Sequence, residues 1–243
     1  IFKYLYGRAS LITASKGYAK FLNVKFNIPV KKLIQVQLGF HPYTLPDRDK
    51  ALKEVNLESS KRYMLFVGNI TEYQGIQNIL PSLPLLFNKY VNLNFVLVGD
   101  GAFLDKLKSM VIELKINERV IFLPRVSKSK IKYYVASSEI GLSPFSFDRG
   151  IKGSISGLKT FDYLFGGLPI VTSEMDDMAS LIKEKKWGDI LKAGDSEEEI
   201  RNKIEVILNN SNNLNNNILD SMKFIHDKFS WDKRFYQIYN SIR

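Results

Sequence analysis

The chain has 243 residues, 45% of them hydrophobic, enough to fill one large core or two modest ones, which sets a disordered chain aside. It has no cysteine, which excludes disulfides and thiolate metal sites, and its two histidines, His41 and His226, stand too far apart in sequence to suggest a metal pair. A net charge of +10 favours polyanionic ligands (nucleic acid, anionic lipid or diphosphates) without choosing among them.

The opening IFKYLYGRAS has no signal-peptide cleavage pattern, lacks an initial Met and starts in mid-pattern, which reads as a fragment of something longer. Short apolar strands are expected at 11–14 (LITA) and 33–36 (LIQV), around an amphipathic helix from about Lys16 to Phe26 that Pro29 cannot continue. Residues 41–50, HPYTLPDRDK, have two prolines and no periodicity and read as a linker. A strand at 63–67 leads to a helix from about Gly75 to Phe87, and a strand at 94–98 to a helix from Phe103 to Leu114. Strand 119–123, helix 128–137, strand 139–143, helix 157–165, strand 169–172 and helix 196–208 follow. This alternation predicts an α/β fold, a Rossmann-like doubly wound parallel sheet with helices on both faces, and nothing repeats at a fixed period. The asparagine-rich 209–217 reads as a polar connection. Two helical segments follow it, the second with Trp231, Phe235, Ile238 and Tyr239 on one face, as a helix capping the domain. No run approaches the roughly 18–20 apolar residues needed to cross a bilayer, so the expectation is a soluble cytoplasmic protein.

Lys106, Lys108, Lys115, Lys183, Lys185 and Lys186 are scattered as on a solvated surface. By contrast Arg125, Lys128, Lys130, Lys132, Arg149, Lys152 and Lys159 gather around predicted strand ends, where an open parallel sheet builds its ligand crevice. Gly68, after the apolar strand, lets backbone amides approach a ligand, although a structural turn explains it equally well. Gly99-Asp100-Gly101 ends the next strand and opens a helix, a loop near a ligand or simply a tight turn. The long loop LSPFSFDRGIKGSIS then leads into a helix beginning near Gly157. The amides around Ser156, Gly157 and Leu158 suit a diphosphate, with Lys159 supplying a full charge and Arg149 or Lys152 adding others. Asp162, three residues on, can accept hydrogen bonds from two ribose hydroxyls; the plainer alternative is an ordinary surface pair with Lys159.

The three segments FVGNITEYQGI, FVLVGDG and GLKTFDYLFGGLPIV together resemble the nucleotide-sugar half of a GT-B type glycosyltransferase of the large retaining group 1 family. The resemblance runs from LITAS through VKKLIQVQLGF to the terminal SWDKRFYQIY. It implies that Gly68, Asn69, Gln74, Gly99, Asp100 and Gly101 lie near the donor diphosphate. Asn69 and Gln74 stand where the family carries Arg and Lys. It implies that Arg125 and Val126, in FLPRVSKSKIKYY, flank the nucleotide base. Lys159 and Asp162 fall on the lysine and second glutamate of the pattern PLKxFEYLAxGxPVV, and Ser154 falls on the position of the family's first, sugar-contacting glutamate, with Asp148 as a substitute. The implied protein is a hexosyl transferase acting with retention from a nucleoside diphosphate sugar to a glycan or lipid-linked acceptor, with no metal or cofactor. The whole chain, 1–243, would be its donor-binding domain, with 228–243 crossing back to an absent N-terminal acceptor domain. Such a half is inactive alone, because positioning of the acceptor supplies much of the rate. Basic charge also fits peripheral attachment to an anionic membrane. Rival readings are another GT-B enzyme such as an epimerase, disfavoured by scarce histidine, a non-catalytic scaffold domain, and nucleic-acid binding, for which no recognition motif is found.

Overall fold

A computed structural model of the chain describes residues 11–147, 155, 157–210 and 215–242. Strands β1 (Leu11–Thr13) and β2 (Leu33–Gln35) form a two-stranded parallel pair joined by helix α1 (Lys16–Phe26). The Ser15 side chain caps α1 by accepting from the Tyr18 amide at 3.1 Å, and Asn27 ends it in the left-handed region at φ 53°.

The main sheet has six parallel strands: β3 (Arg62–Val67), β4 (Leu93–Val98), β5 (Val120–Leu123), β6 (Ile140–Ser143), β7 (Ile170–Ser173) and β8 (Gly188–Leu191), in the order β5-β4-β3-β6-β7-β8. Its strands read as nearly unbroken apolar runs because both faces are covered. Met64, Phe66, Phe95 and Leu97 point into one core, with Leu83 and Leu86 of α3 (Leu83–Lys89), Leu107 and Val111 of α4 (Leu104–Glu113) and Ile204 of α8 (Glu197–Asn209). The alternate residues Tyr63, Leu65, Val67, Val96 and Val98 point into the other. That second core is closed by α2 (Arg48–Glu54), α5 (Lys128–Ser137), α6 (Leu158–Phe165), α7 (Ala179–Glu184) and α9 (Asn215–Phe229). The final helix, α10 (Trp231–Ile242), follows α9 directly. Among the described residues no helix is long and apolar enough to cross a membrane.

The doubly wound architecture matches the sequence expectation, and several elements depart from it. The expected helix 75–87 is broken into 3-10 turns at Ile76–Asn78 and Leu80–Ser82 before α3 begins, because Pro81 and Pro84 carry no N–H to continue an α-helical ladder. The expected linker 41–50 already contains the start of α2, which Asp47 caps by accepting from the Lys50 amide at 2.8 Å. Helix α7 and strand β8 were not expected; both are short, and periodicity has little to register in six and four residues. On α10, Trp231 packs partly buried over Gly39 and Ile238 is partly buried, whereas Phe235 and Tyr239 are exposed and Arg234 is buried against the Phe229 ring, so only half of the apolar stripe expected to cap the domain is covered.

The strand order reverses at β3, whose neighbours β4 and β6 are reached by crossovers in opposite directions. The β3–β6 ladder ends at Leu65↔Gly141, whereas β3 continues to Val67 alongside β4. The two strands therefore part at their carboxyl ends, and a crevice opens at this switch point.

Candidate functional site

The floor of the crevice is the turn after β3. The ladder continues past the strands, with the Gly68 amide donating to Val98 O at 3.0 Å and the Ile70 amide to Asp100 O at 2.8 Å. A Cβ on Gly99 (φ +157°) would stand 1.9 Å from Gly68 O, and one on Gly101 would stand 2.2 Å from Ile70 O. The second glycine turn thus serves here as the bed on which the first one lies, and only glycine permits so close an approach.

The far wall is the start of α6. Among the described residues no side chain caps that helix at Gly157, and its first residues line the crevice with the helix dipole behind them. Its setting is fixed from below: Thr160 Oγ1 donates to Asp176 Oδ2 at 2.6 Å, Thr172 Oγ1 donates to the same oxygen at 3.1 Å, and the Met178 amide donates to Asp176 Oδ1 at 2.9 Å. Burial pushes the Asp176 carboxyl up to about 6 against these three hydrogen bonds. Ile155 is held next to this network, donating to Met175 O and accepting from the Asp177 amide. From behind, Tyr163 is fully buried, and its hydroxyl accepts from the Val67 amide at 2.8 Å, satisfying the N–H left where β6 no longer pairs with β3.

Lys159 projects from the first turn of α6 over Gly68, whose missing side chain leaves it room: a Cβ there would lie 3.3 Å from Lys159 Cε. Its ammonium donates to Gln74 Oε1 and lies 4.3 Å from the Phe66 ring centroid and 4.6 Å from that of Phe145. Asp162, 4% exposed, does not pair with Lys159; its Oδ2 is 3.7 Å from Lys128 Nζ, at the start of α5. Its Oδ1 is buried and has no hydrogen-bond partner among the described residues. Burial raises the Asp162 carboxyl, and the Lys128 charge pulls the other way.

Of the residues expected from sequence, Gly68, Gln74, Gly157, Leu158, Lys159 and Asp162 line one cleft of about 390 Å³, together with Leu38, Lys128, Ile131 and Phe145. Asn69 is exposed at the turn and does not line it. Gly99, Asp100 and Gly101 lie behind the turn, where Asp100 Oδ1 accepts from the Gly101 amide at 2.7 Å. Arg125 is exposed, and Val126 packs partly buried on the second core. Ser154 and Ser156, like Asp148, Arg149 and Lys152, lie outside the described residues. Sequence reasoning missed the Thr160–Thr172–Asp176 support, the aromatic walls Phe66 and Phe145, and Tyr163. The acidic pair in SEMDDM after an apolar strand was the available signal for the first. A larger hollow, about 810 Å³, opens between α1 and α7, but its lining mixes Lys16, Lys20, Lys183 and Lys192 with Glu174, Asp177 and Glu184, and no expected site residue is in it.

The cleft's chemistry is that of an anion site beside a hydroxyl site: helix amides and one ammonium at one end, a buried carboxylate oxygen awaiting a donor at the other. The family model described as glycosyl transferases group 1 matches residues 47–221. An uncharacterized glycosyltransferase of Methanocaldococcus jannaschii, MJ1607, is 21% identical over 233 residues, which cover 93% of this chain and 58% of that protein. The alpha-monoglucosyldiacylglycerol synthase of Streptococcus pneumoniae is 22% identical over 163 residues, 65% of this chain and 36% of that protein. In three dimensions the chain is similar to Anabaena HepE in complex with UDP-glucose, with a TM-score of 0.80 at 15% identity, covering 96% of this chain and 63% of that one. The chain thus spans 36–58% of the length of these two curated relatives.

Proposed function

The chain belongs to the group 1 glycosyl transferases, and from that premise we propose that it is the donor-binding part of a hexosyl transferase that uses a nucleoside diphosphate sugar. The observation that carries the proposal is the convergence on one cleft, at the switch point of the sheet, of the α6 N-terminus, the Lys159 ammonium and the unpartnered Asp162 Oδ1. The donor diphosphate sits over Gly68 against the α6 amides and Lys159, and Asp162 accepts from the ribose hydroxyls. As the sugar–phosphate bond breaks, negative charge builds on the leaving diphosphate, where fixed dipoles and an ammonium stabilise it without reorganising. The family resemblance adds transfer with retention to a glycan or lipid-linked acceptor. In this reading the acceptor is positioned by a further domain. The structural neighbour whose complex contains UDP-glucose supports UDP as the first nucleotide to try.

The test is calorimetric titration of the chain with UDP, GDP and ADP, repeated with Lys159→Ala and Asp162→Ala. Saturable binding of one nucleotide, weakened about tenfold or more by each change, is expected, since each removes a charge-assisted contact of about 1.5–3 kcal/mol. Equal, salt-sensitive binding of all three, unaffected by either substitution, would point to non-specific polyanion binding instead.

A further inference from the structure

Asp162 is in an unusual position for a surface-cleft carboxylate: it is 4% exposed, and one of its oxygens has no donor. The titratable groups around it come from three elements. Lys128 of α5 is 3.7 Å from Oδ2; Tyr43, from the segment before α2, donates through its hydroxyl to the Asp162 backbone carbonyl at 3.2 Å; and Tyr163 and Lys159 belong to its own helix. Neither tyrosine supplies a donor to the carboxylate, since the Tyr163 hydroxyl is engaged at Val67 and that of Tyr43 at the carbonyl. Lys159 is turned away to Gln74.

We propose that Lys128 is a positioning residue of the site: its ammonium keeps the buried Asp162 carboxyl ionised, so that Oδ1 is presented as an acceptor to the paired hydroxyls of a bound ribose. This rests on the nucleotide reading given above and deepens it. The physical reason is the contrast between the two partners. Asp162 is shielded from water, which favours its neutral form, whereas Lys128 has its side chain 52% exposed and keeps its own hydration while its charge reaches the carboxylate. At 3.7 Å the contact is long for a hydrogen bond and mainly Coulombic, and it is made to Oδ2. It therefore leaves Oδ1 open to a ligand. A neutral carboxyl would present one donor and lose acceptor capacity for a diol. Residue 128 begins α5, beside the segment in which sequence reasoning expected the base, so its role is played from the base side of the cleft rather than from the phosphate side.

Two measurements test this. The Asp162 carboxyl titration, followed by carbon NMR in the protein without ligand, is expected to shift upward by about one unit or more in Lys128→Met relative to the parent and to stay near the parent value in Lys128→Arg, a unit being a tenfold change in ionisation. UDP affinity is measured between pH 6 and 8 and read as the ratio of variant to parent at each pH, so that ionisation of the ligand's own terminal phosphate, at about pH 6, cancels; for Lys128→Arg that ratio is expected to be nearly flat. For Lys128→Met it is expected to fall about tenfold more at pH 6 than at pH 8, a dependence abolished by Asp162→Asn and much reduced for 2′-deoxy-UDP. An Asp162 titration unchanged in Lys128→Met would overturn the proposal, as would an affinity loss equal at pH 6 and pH 8. If the parent chain binds no nucleotide, the functional reading fails separately, and the proposal fails with it in its ligand part, while the NMR titration still decides whether Lys128 controls Asp162.

Discussion

Replacing Tyr163 by Phe removes one oxygen from the interior and little else. The ring fills the space opposite Gly141, where a Cβ would stand 2.4 Å from the ring carbon Cδ2, and phenylalanine keeps that packing. What is lost is the acceptor at 2.8 Å from the Val67 amide, in a residue that is 0% exposed. Because β6 has already stopped pairing with β3 two residues earlier, no carbonyl of that strand stands ready to replace it. A buried N–H left without a partner costs about 1–3 kcal/mol. With a urea dependence of about 1–3 kcal/mol per molar, the midpoint of unfolding should fall by roughly 1 M at unchanged slope. Tyr63→Phe is the control. Its ring is equally buried, but its hydroxyl donates to the carbonyl of the exposed Glu58, at 3.0 Å, which water can satisfy, so its cost should stay below about 1 kcal/mol. Urea unfolding of the three proteins, followed by far-ultraviolet circular dichroism, decides the matter. If Tyr163→Phe costs no more than Tyr63→Phe, the hydroxyl does not hold the parted strand end, and the account of the crevice floor is wrong.

Asp176 gives a pH signature. Its carboxyl is raised from an ordinary 3.8 to about 6 in the folded chain, so the folded state binds the proton more tightly than the unfolded one, and stability falls as pH rises from about 4 to 6. Asp176→Asn removes that slope. The difference in unfolding free energy between variant and parent, measured at pH 4 and pH 7, should therefore move in the variant's favour by on the order of 2–3 kcal/mol at the higher pH; a pH-independent difference would contradict the burial argument. Gly99→Ala forces a side chain to within 1.9 Å of the Gly68 carbonyl at a φ of +157°, which backbone cannot yield cheaply. A loss of about 3 kcal/mol or more in thermal or urea unfolding is expected, whereas a neutral substitution would mean that the two turns can separate.

The order of strands and helices was legible because buried parallel strands advertise themselves as β-branched and aromatic runs: RYMLFV and LNFVLV permit little else. The glycines after those runs and the start of α6 were also legible, since a turn needing positive φ and a helix start facing a crevice each select residue types locally. Short or irregular elements were not. Prolines 81 and 84 broke a helix that the apolar spacing suggested, and α7 and β8 are held by packing more than by pattern.

What the sequence could not decide was partnership. Lys159 and Asp162 are one helical turn apart and of opposite charge, which reads as a pair, yet the fold sends the lysine across to Gln74 and two aromatic rings and gives the aspartate to Lys128. Likewise Gly99 and Gly101 read either as a loop near a ligand or as a tight turn, and the fold lays them beneath the first turn, while Asp176, unremarked in the chain, is the buried anchor of α6. Local composition constrains φ, periodicity and helix ends, because those depend on neighbours a few residues away. Which charges meet, and which are shielded from water, depends on strands that part at a switch point and on helices brought together from opposite ends of the chain, and only the tertiary structure sets those distances.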